Sequence, residues 1–241
     1  MRPFLLLATR PEQVAADEEY EAFRAFSGLA ADQLVRCRLD QQPLGEVDLS
    51  AWSGIVLGGS PFTVSDGSKS AVQQRVEAEL QGLLARVVAQ DAPFLGACYG
   101  IGTLGAAVGS VVDTRYGEPV GAVPVTLTAE GRADPLLGAL PPSFDAFVGH
   151  KEAVRTLGPG AVLLASSPTC PVQAFRVGRN VYATQFHPEL DVAGLRTRVR
   201  LYRDAGYFPS ETLDELLGTV GRSRVEHPPQ LLRRFVELYA S

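Results

Sequence analysis

Cysteine is scarce in this chain: the 241 residues hold three, Cys37, Cys98 and Cys170, and no two of them form a C-x-x-C pair. Such spacing builds neither a disulfide framework nor a zinc ribbon, so the sequence implies no metal and fits a reducing cytosol. Basic excess is missing too. A net charge of -5 and a pI near 5.3 exclude the basic stripe of a general nucleic-acid binder. No stretch reaches the roughly 18 apolar residues of a membrane span, and the apolar part of the opening MRPFLLLATR is too short for a signal peptide. There is no internal repeat, no low-complexity tract and no G-x-x-x-x-G-K-[ST] phosphate loop. What is left is an ordinary globular composition, 46% hydrophobic and 20% charged, which suits one sizeable domain and small-molecule chemistry without a cofactor.

Apolar runs over 4–8, 34–39, 53–57 and 94–97 read as strands, and helical spacing over 12–29 and 70–90 reads as helices. Strands separated by helices of this length predict a parallel sheet covered on both faces. From Val123 the runs VPVTLT, FDAFVGH, AVLLASS, VQAFRVG and NVYATQF are short and alternating, which predicts antiparallel or mixed strands, with a short helix near 134–139. After Phe186 the pattern is helical to the end, and its last segment, 228–239, opens on prolines. The expected fold is therefore α/β: a mostly parallel central sheet flanked by helices, with a smaller antiparallel or mixed region in the second half. Residues 1–190 are expected to form the domain, and 191–241 a helical extension packed on it.

Cys98 stands at the centre of G-x-C-x-G, Gly96 to Gly100, between a strand and a predicted helix. The same frame with serine is a nucleophile elbow, in which a tight turn lifts the reactive side chain above the sheet and small neighbours avoid clashes. A helix beginning there points its amides and positive dipole end at the sulfur, which favours thiolate. The base must come from three histidines. His227 lies in a polar, proline-rich connection and reads as surface. His187 ends the strand VYATQF and precedes Pro188 and Glu189; a residue before proline favours extended backbone, so residues 187 and 189 project to the same side and the carboxylate can orient the imidazole. Cys98, His187 and Glu189 thus form the candidate triad of nucleophile, base and orienter. The loop Gly58-Gly59-Ser60-Pro61 follows a strand, and the amides of Gly59 and Tyr99 are the candidate oxyanion donors.

The motifs LGGSP, GACYG, GHKEAV and TQFHPE, in that order over about residues 53 to 190, resemble the class I glutamine amidotransferases, and within them the GMP-synthetase-like group. That resemblance implies a thiol attack on a γ-glutamyl amide, a glutamyl thioester, release of ammonia and hydrolysis to glutamate. It assigns Cys98 as nucleophile, His187 as base and then acid, and Glu189 as orienter. Gly58, Ser60, Gly102, Gly149 and His150 fall at substrate-binding positions, and a separate ammonia-accepting synthetase is the implied partner.

Two departures from the family pattern bear on the substrate. Gly102 stands four residues after the nucleophile, where the family usually carries a substrate-holding glutamine, and Gly149-His150-Lys151-Glu152 replaces S-H-G-D. The loss of a side chain at 102 is expected to weaken the grip on free glutamine and widen the site. The alternatives are a γ-glutamyl peptide hydrolase using the same thioester, and a retired amidotransferase serving as a binding module. The ATP-pyrophosphatase region that makes GMP is absent from this sequence, so GMP synthesis by this chain alone is not expected.

Overall fold

A computed structural model describes residues 2–203 and 212–241. Five strands run parallel along one side of a nine-stranded sheet: β1 (Phe4–Ala8), β2 (Leu34–Arg38), β3 (Gly54–Leu57), β4 (Phe94–Ala97) and β11 (Val181–Thr184). The antiparallel part holds β6 (Glu118–Leu127), β7 (Ser143–His150), β9 (Ala161–Ser166) and β10 (Ala174–Val177). The strand order is β2-β1-β3-β4-β11-β10-β9-β6-β7, so the last strand in sequence, β11, returns to pair parallel with β4. That return brings the TQFHPE segment beside the cysteine elbow. A separate two-stranded sheet, β5 (Val111–Asp113) with β8 (Ala153–Thr156), has strands of three and four residues, too short for periodicity to reveal.

Side-chain alternation sorts the sheet into two cores. Phe4, Leu6, Val56 and Leu95 face one side, where α1 (Gln13–Ser27) and α7 (Pro229–Tyr239) supply Phe23, Leu231, Leu232 and Phe235. Leu5, Leu7, Ile55 and Leu57 face the other, against α2 (Ala71–Gln90) with Val76, Leu80, Leu83, Leu84 and Val87, and α3 (Tyr99–Ala107) with Ile101 and Leu104. Each such side chain, fully buried, contributes about 1.5–3 kcal/mol relative to exposure. Local chemistry sets the helix ends: the Ser70 hydroxyl accepts from the Gln73 amide at 3.1 Å to start α2, and Gly28 closes α1 at φ 76°.

The short helix expected near 134–139 is present as a single 3-10 turn, Leu137–Ala139, and a second short helix, α4 (Ala129–Ala133), precedes it, capped by Thr128, which accepts from Gly131 N at 2.9 Å. Asp134 accepts from the amides of Leu136 and Leu137 and holds the turn that follows. Past the sheet, α5 (Val192–Leu201) and α6 (Leu213–Arg222) pack Leu195, Val199, Leu217 and Val220 against Phe147 of β7. The helix α7 packs on the first core, where the Phe4 and Phe235 rings lie 6.0 Å apart and Arg2 N donates to Ser241 O at 2.8 Å. The part of the expected helical run over 204–211 lies outside the described residues. Among the described residues no helix is long and apolar enough to cross a membrane.

Candidate active site

The elbow is where the backbone departs most from ordinary geometry. Cys98 sits between β4 and α3 at φ 53°, ψ -91°, one of two non-glycine residues with positive φ among the described residues. A side chain held there costs on the order of 1–3 kcal/mol and persists only when its surroundings fix it. Cys98 N donates to Thr184 O on β11 at 2.8 Å, which ties the turn to the strand that leads to His187. The flanking glycines are required by close approach: a Cβ on Gly96 would stand 2.8 Å from the backbone of Gly100. Cys98 remains half-buried at the mouth of this turn.

Three residues beyond Thr184, His187 N donates to Phe147 O at 3.0 Å, fixing the imidazole over the elbow. His187 Nδ1 lies 2.8 Å from Glu189 Oε1, as the extended H-P-E geometry predicts, and its ring stands near enough to Cys98 for the sulfur to favour the imidazolium. Burial opposes the charged imidazolium, but the carboxylate of Glu189 and then the sulfur of Cys98 outweigh it, and His187 is pushed up to about 9. Burial likewise opposes the Glu189 carboxylate. The charges of His187 and Arg198 prevail and hold it well below the usual carboxylate range.

Arg198 carries no signal in the sequence reading, yet it completes the arrangement. Asp191 caps α5 directly after the H-P-E-L segment, accepting from Gly194 N at 2.7 Å, and the helix brings Arg198 back to donate to Glu189 Oε1 at 2.9 Å. The same guanidinium lies 3.6 Å from Glu19 Oε1, which pairs with Arg10 Nε at 2.9 Å. All four side chains are buried. Two guanidiniums and two carboxylates alternate in a chain, Arg10–Glu19–Arg198–Glu189, behind the histidine. A distant arginine on a helix could have been found only by knowing that α5 folds back over the elbow.

The oxyanion expectation is changed at one position. Gly59 N donates to Glu19 Oε1 at 3.2 Å and so faces the charged chain, away from an oxyanion over Cys98. Glycine is needed at 59 for a different reason: a Cβ there would collide with the Arg10 guanidinium and stand 2.9 Å from His187 Cε1. Gly58 likewise faces the Glu19 carboxylate. The Tyr99 amide, at the first position of α3, has no partner within its own helix by the geometry of helix starts. Ser60 lies against Cys98 in both clefts that meet at the sulfur.

Those clefts differ in chemistry. One, enclosing about 340 Å³, is polar and holds Tyr99, Gly102, Gly149, His150, Glu152 and Gln185. Gly102 does not leave this cleft wider: a Cβ there would stand 3.1 Å from Glu152 Oε1, so the Glu152 carboxylate occupies the space beside it. Glu152 is held by the Val64 and Ser65 amides, one on each oxygen, both at 2.7 Å. His150 acts at one remove: Nδ1 bonds Glu152 O at 2.7 Å and Nε2 bonds Glu118 Oε2 at 2.8 Å, so its ring nitrogens are both engaged within the protein. The other cleft, about 480 Å³, contains His187 and the aliphatic side chains of β6, β7 and α5.

A second Cys-His-Glu group lies close by. Glu118, His150 and Cys170 are buried, with a donor atom from each within 4.8 Å of the others, and they are the one set of metal-type ligands grouped among the described residues. Its atoms are bonded within the protein. Glu118 accepts from Gln173 Nε2 at 2.7 Å and from Thr169, and Cys170 Sγ donates to Val172 O at 3.5 Å. Burial pushes the Cys170 thiol up to about 12.

A model of the class-I glutamine amidotransferases matches residues 31–198. The chain belongs to that family. Among curated relatives of this amidotransferase, the glutamine-hydrolyzing GMP synthase of Syntrophomonas wolfei is 28% identical over 187 residues, covering 71% of this chain and 33% of that protein. One subunit of the glutamine-hydrolyzing GMP synthase of Natronomonas pharaonis is 35% identical over 101 residues, covering 42% of this chain and 54% of that one. The chain thus spans between about a third and about half of these relatives' lengths. The fold extends further than the sequence match. A crystal structure of a glutamine amidotransferase from Thermotoga maritima aligns with a TM-score of 0.77 at 20% identity over 100% of this chain and 99% of that one. One from Methylobacillus flagellatus aligns with a TM-score of 0.72 at 18% identity over 98% and 95%.

Proposed function

We propose that this amidotransferase hydrolyses a γ-glutamyl amide through a glutamyl thioester on Cys98, with His187 and Glu189 as its acid–base pair. The observation that carries the reading is the half-buried cysteine held at positive φ beside a histidine whose other nitrogen is bonded to a carboxylate. The second Cys-His-Glu group shares the histidine–carboxylate bond but not the rest, since Cys170 is fully buried with its thiol pushed up and both nitrogens of His150 are engaged, leaving none to receive a proton from sulfur.

In the first half-reaction the Cys98 sulfur adds to the amide carbon, and the oxygen that becomes negative takes a hydrogen bond from the Tyr99 amide at the positive end of α3. His187 Nε2, protonated by the thiol, gives that proton to the departing nitrogen as the C–N bond breaks. Water then adds to the thioester while His187 accepts its proton, and glutamate leaves as the thiol is restored. With glutamine the amine released is ammonia, available to a separate synthetase; with a larger γ-glutamyl amide it is the corresponding amine. In the polar cleft the buried Glu152 carboxylate complements the α-ammonium of the glutamyl part. Glutamate release from glutamine and other γ-glutamyl amides by the purified chain, lost on Cys98→Ser, is the direct test; no release from any of them removes the proposal.

The pH dependence follows from the sign of the His187 shift. A histidine raised from 6.5 to about 9 keeps its proton across neutral pH, so the stability gained by the charged form is complete below about pH 6.5 and lost as pH rises through about 9. The kcat/KM profile should fall on its alkaline side near pH 9. Glu189→Gln removes the strongest raising charge and should move that limb toward neutrality, with a smaller loss of rate than His187→Ala. An alkaline limb that stays in place in Glu189→Gln would show that another group sets it.

Glu152→Gln keeps the size but loses the charge and one of the two bonds from the Val64 and Ser65 amides. It should raise KM for the glutamyl substrate about tenfold and lower kcat far less, because the interaction is made equally in ground and transition states. Equal losses in both parameters would place Glu152 in the chemistry.

A further inference from the structure

Two clefts meet at Cys98, and His187 decides which part of the substrate enters each. The group that protonates the leaving nitrogen must stand on the leaving-group side, and His187 lies in the larger cleft and not in the polar one that holds Gly102 and Glu152. The glutamyl part therefore occupies the polar cleft and the amine the other. Ammonia needs no apolar wall. Yet this side is formed by Val120, Val148, Leu190, Leu195 and Val199, contributed by β6, β7, the H-P-E-L segment and α5. Four of these five are buried, and they belong to the packed cluster between α5, α6 and β7 or to the core beneath it, so the shape is a built one.

The cleft also contains Arg10 and Arg198, which bear on charge selection. Arg10 is paired with Glu19 and Arg198 with Glu189, each at 2.9 Å. Both guanidiniums are thus matched by buried carboxylates, and His187 is faced by Glu189 and by the sulfur of Cys98, so among the described residues each cation of this cleft already has an acidic group opposite it. A charged leaving group would have to be desolvated against aliphatic side chains at net cost.

We infer that the preferred substrate is a γ-glutamyl amide of an uncharged aliphatic primary amine, whose alkyl group fills the apolar cleft bounded by β6, β7 and α5. This rests on the thioester reading above and adds the class of leaving group to it. The step balances as before: the Cδ–N bond breaks, the thioester forms, the amine departs with the proton from His187, and water supplies the oxygen and hydrogen that return glutamate and the thiol.

The test is kcat/KM of the full chain, read by glutamate release, on γ-glutamyl isobutylamide, glutamine and γ-glutamyl-leucine. The isobutylamide should exceed glutamine by about tenfold or more, since a buried alkyl group is worth at least that in discrimination. It should also exceed γ-glutamyl-leucine, which adds an unmatched carboxylate. Val199→Thr, nearly isosteric, and Leu195→Gln should each lower the isobutylamide-to-glutamine ratio severalfold, and a ratio is insensitive to the fraction of folded enzyme. Glutamine used as well as or better than the isobutylamide overturns the inference and leaves the thioester reading standing. Preference for γ-glutamyl-leucine overturns the uncharged class. Glutamate from none of the three overturns both the inference and the reading beneath it.

Discussion

Cys98→Ala should lower turnover at least about 10⁴-fold, while Cys170→Ala should retain most of it. The two cysteines make a discriminating pair, because each lies near a histidine and a glutamate. Cys98 is half-buried, sits at the start of α3 and shares a cleft with His187, which Glu189 orients. Cys170 is fully buried, bonded to a carbonyl, and its thiol is pushed up to about 12. Limiting iodoacetamide should therefore alkylate Cys98 first, well before Cys170 and before Cys37, whose thiol burial also raises. Steady-state kinetics of both variants and peptide mapping of the alkylated wild type check this. Loss of activity in a folded Cys170→Ala protein, with activity kept in Cys98→Ala, would exchange the roles of the two groups.

Arg198→Met should destabilise the fold by about 3–5 kcal/mol, because removing one partner leaves the buried carboxylates of Glu189 and Glu19 undercompensated. Against a total of roughly 5–15 kcal/mol for a typical domain, that loss is large. The rate should fall too, since Glu189 loses the group that holds it opposite His187. Arg198→Lys restores a charge without the planar fork and should recover part of the stability and less of the rate. Urea unfolding with kinetics of both variants separates these effects. A methionine variant as stable and as fast as wild type would mean that the charged chain behind His187 contributes nothing.

Much of this was legible in the sequence because the deciding signals are local. The strands at 4–8 and 94–97 appear where periodicity puts them, and H-P-E places an imidazole beside a carboxylate by backbone geometry alone. What was not legible depends on long-range return of the chain. Arg198 meets Glu189 only because α5 folds back, and Glu19 reaches Gly59 N only because α1 packs beside the β3 loop. The expectation that Gly102 opens the site failed for the same reason: Glu152, fifty residues further along, fills the space through its bonds to Val64 and Ser65. A glycine in a sequence marks missing volume, and only the fold says what moves into it.

The central claim is that the γ-glutamyl group is carried on Cys98, and trapping it is the most direct measurement. The protein is mixed with a γ-glutamyl amide, quenched in acid within the first turnovers, and digested for peptide mapping by mass spectrometry. The account predicts a glutamyl adduct on the peptide containing Cys98, increased in Glu189→Gln, where the histidine that must activate water is less well held. An adduct on Cys170, or glutamate release at the wild-type rate from Cys98→Ala, would contradict it.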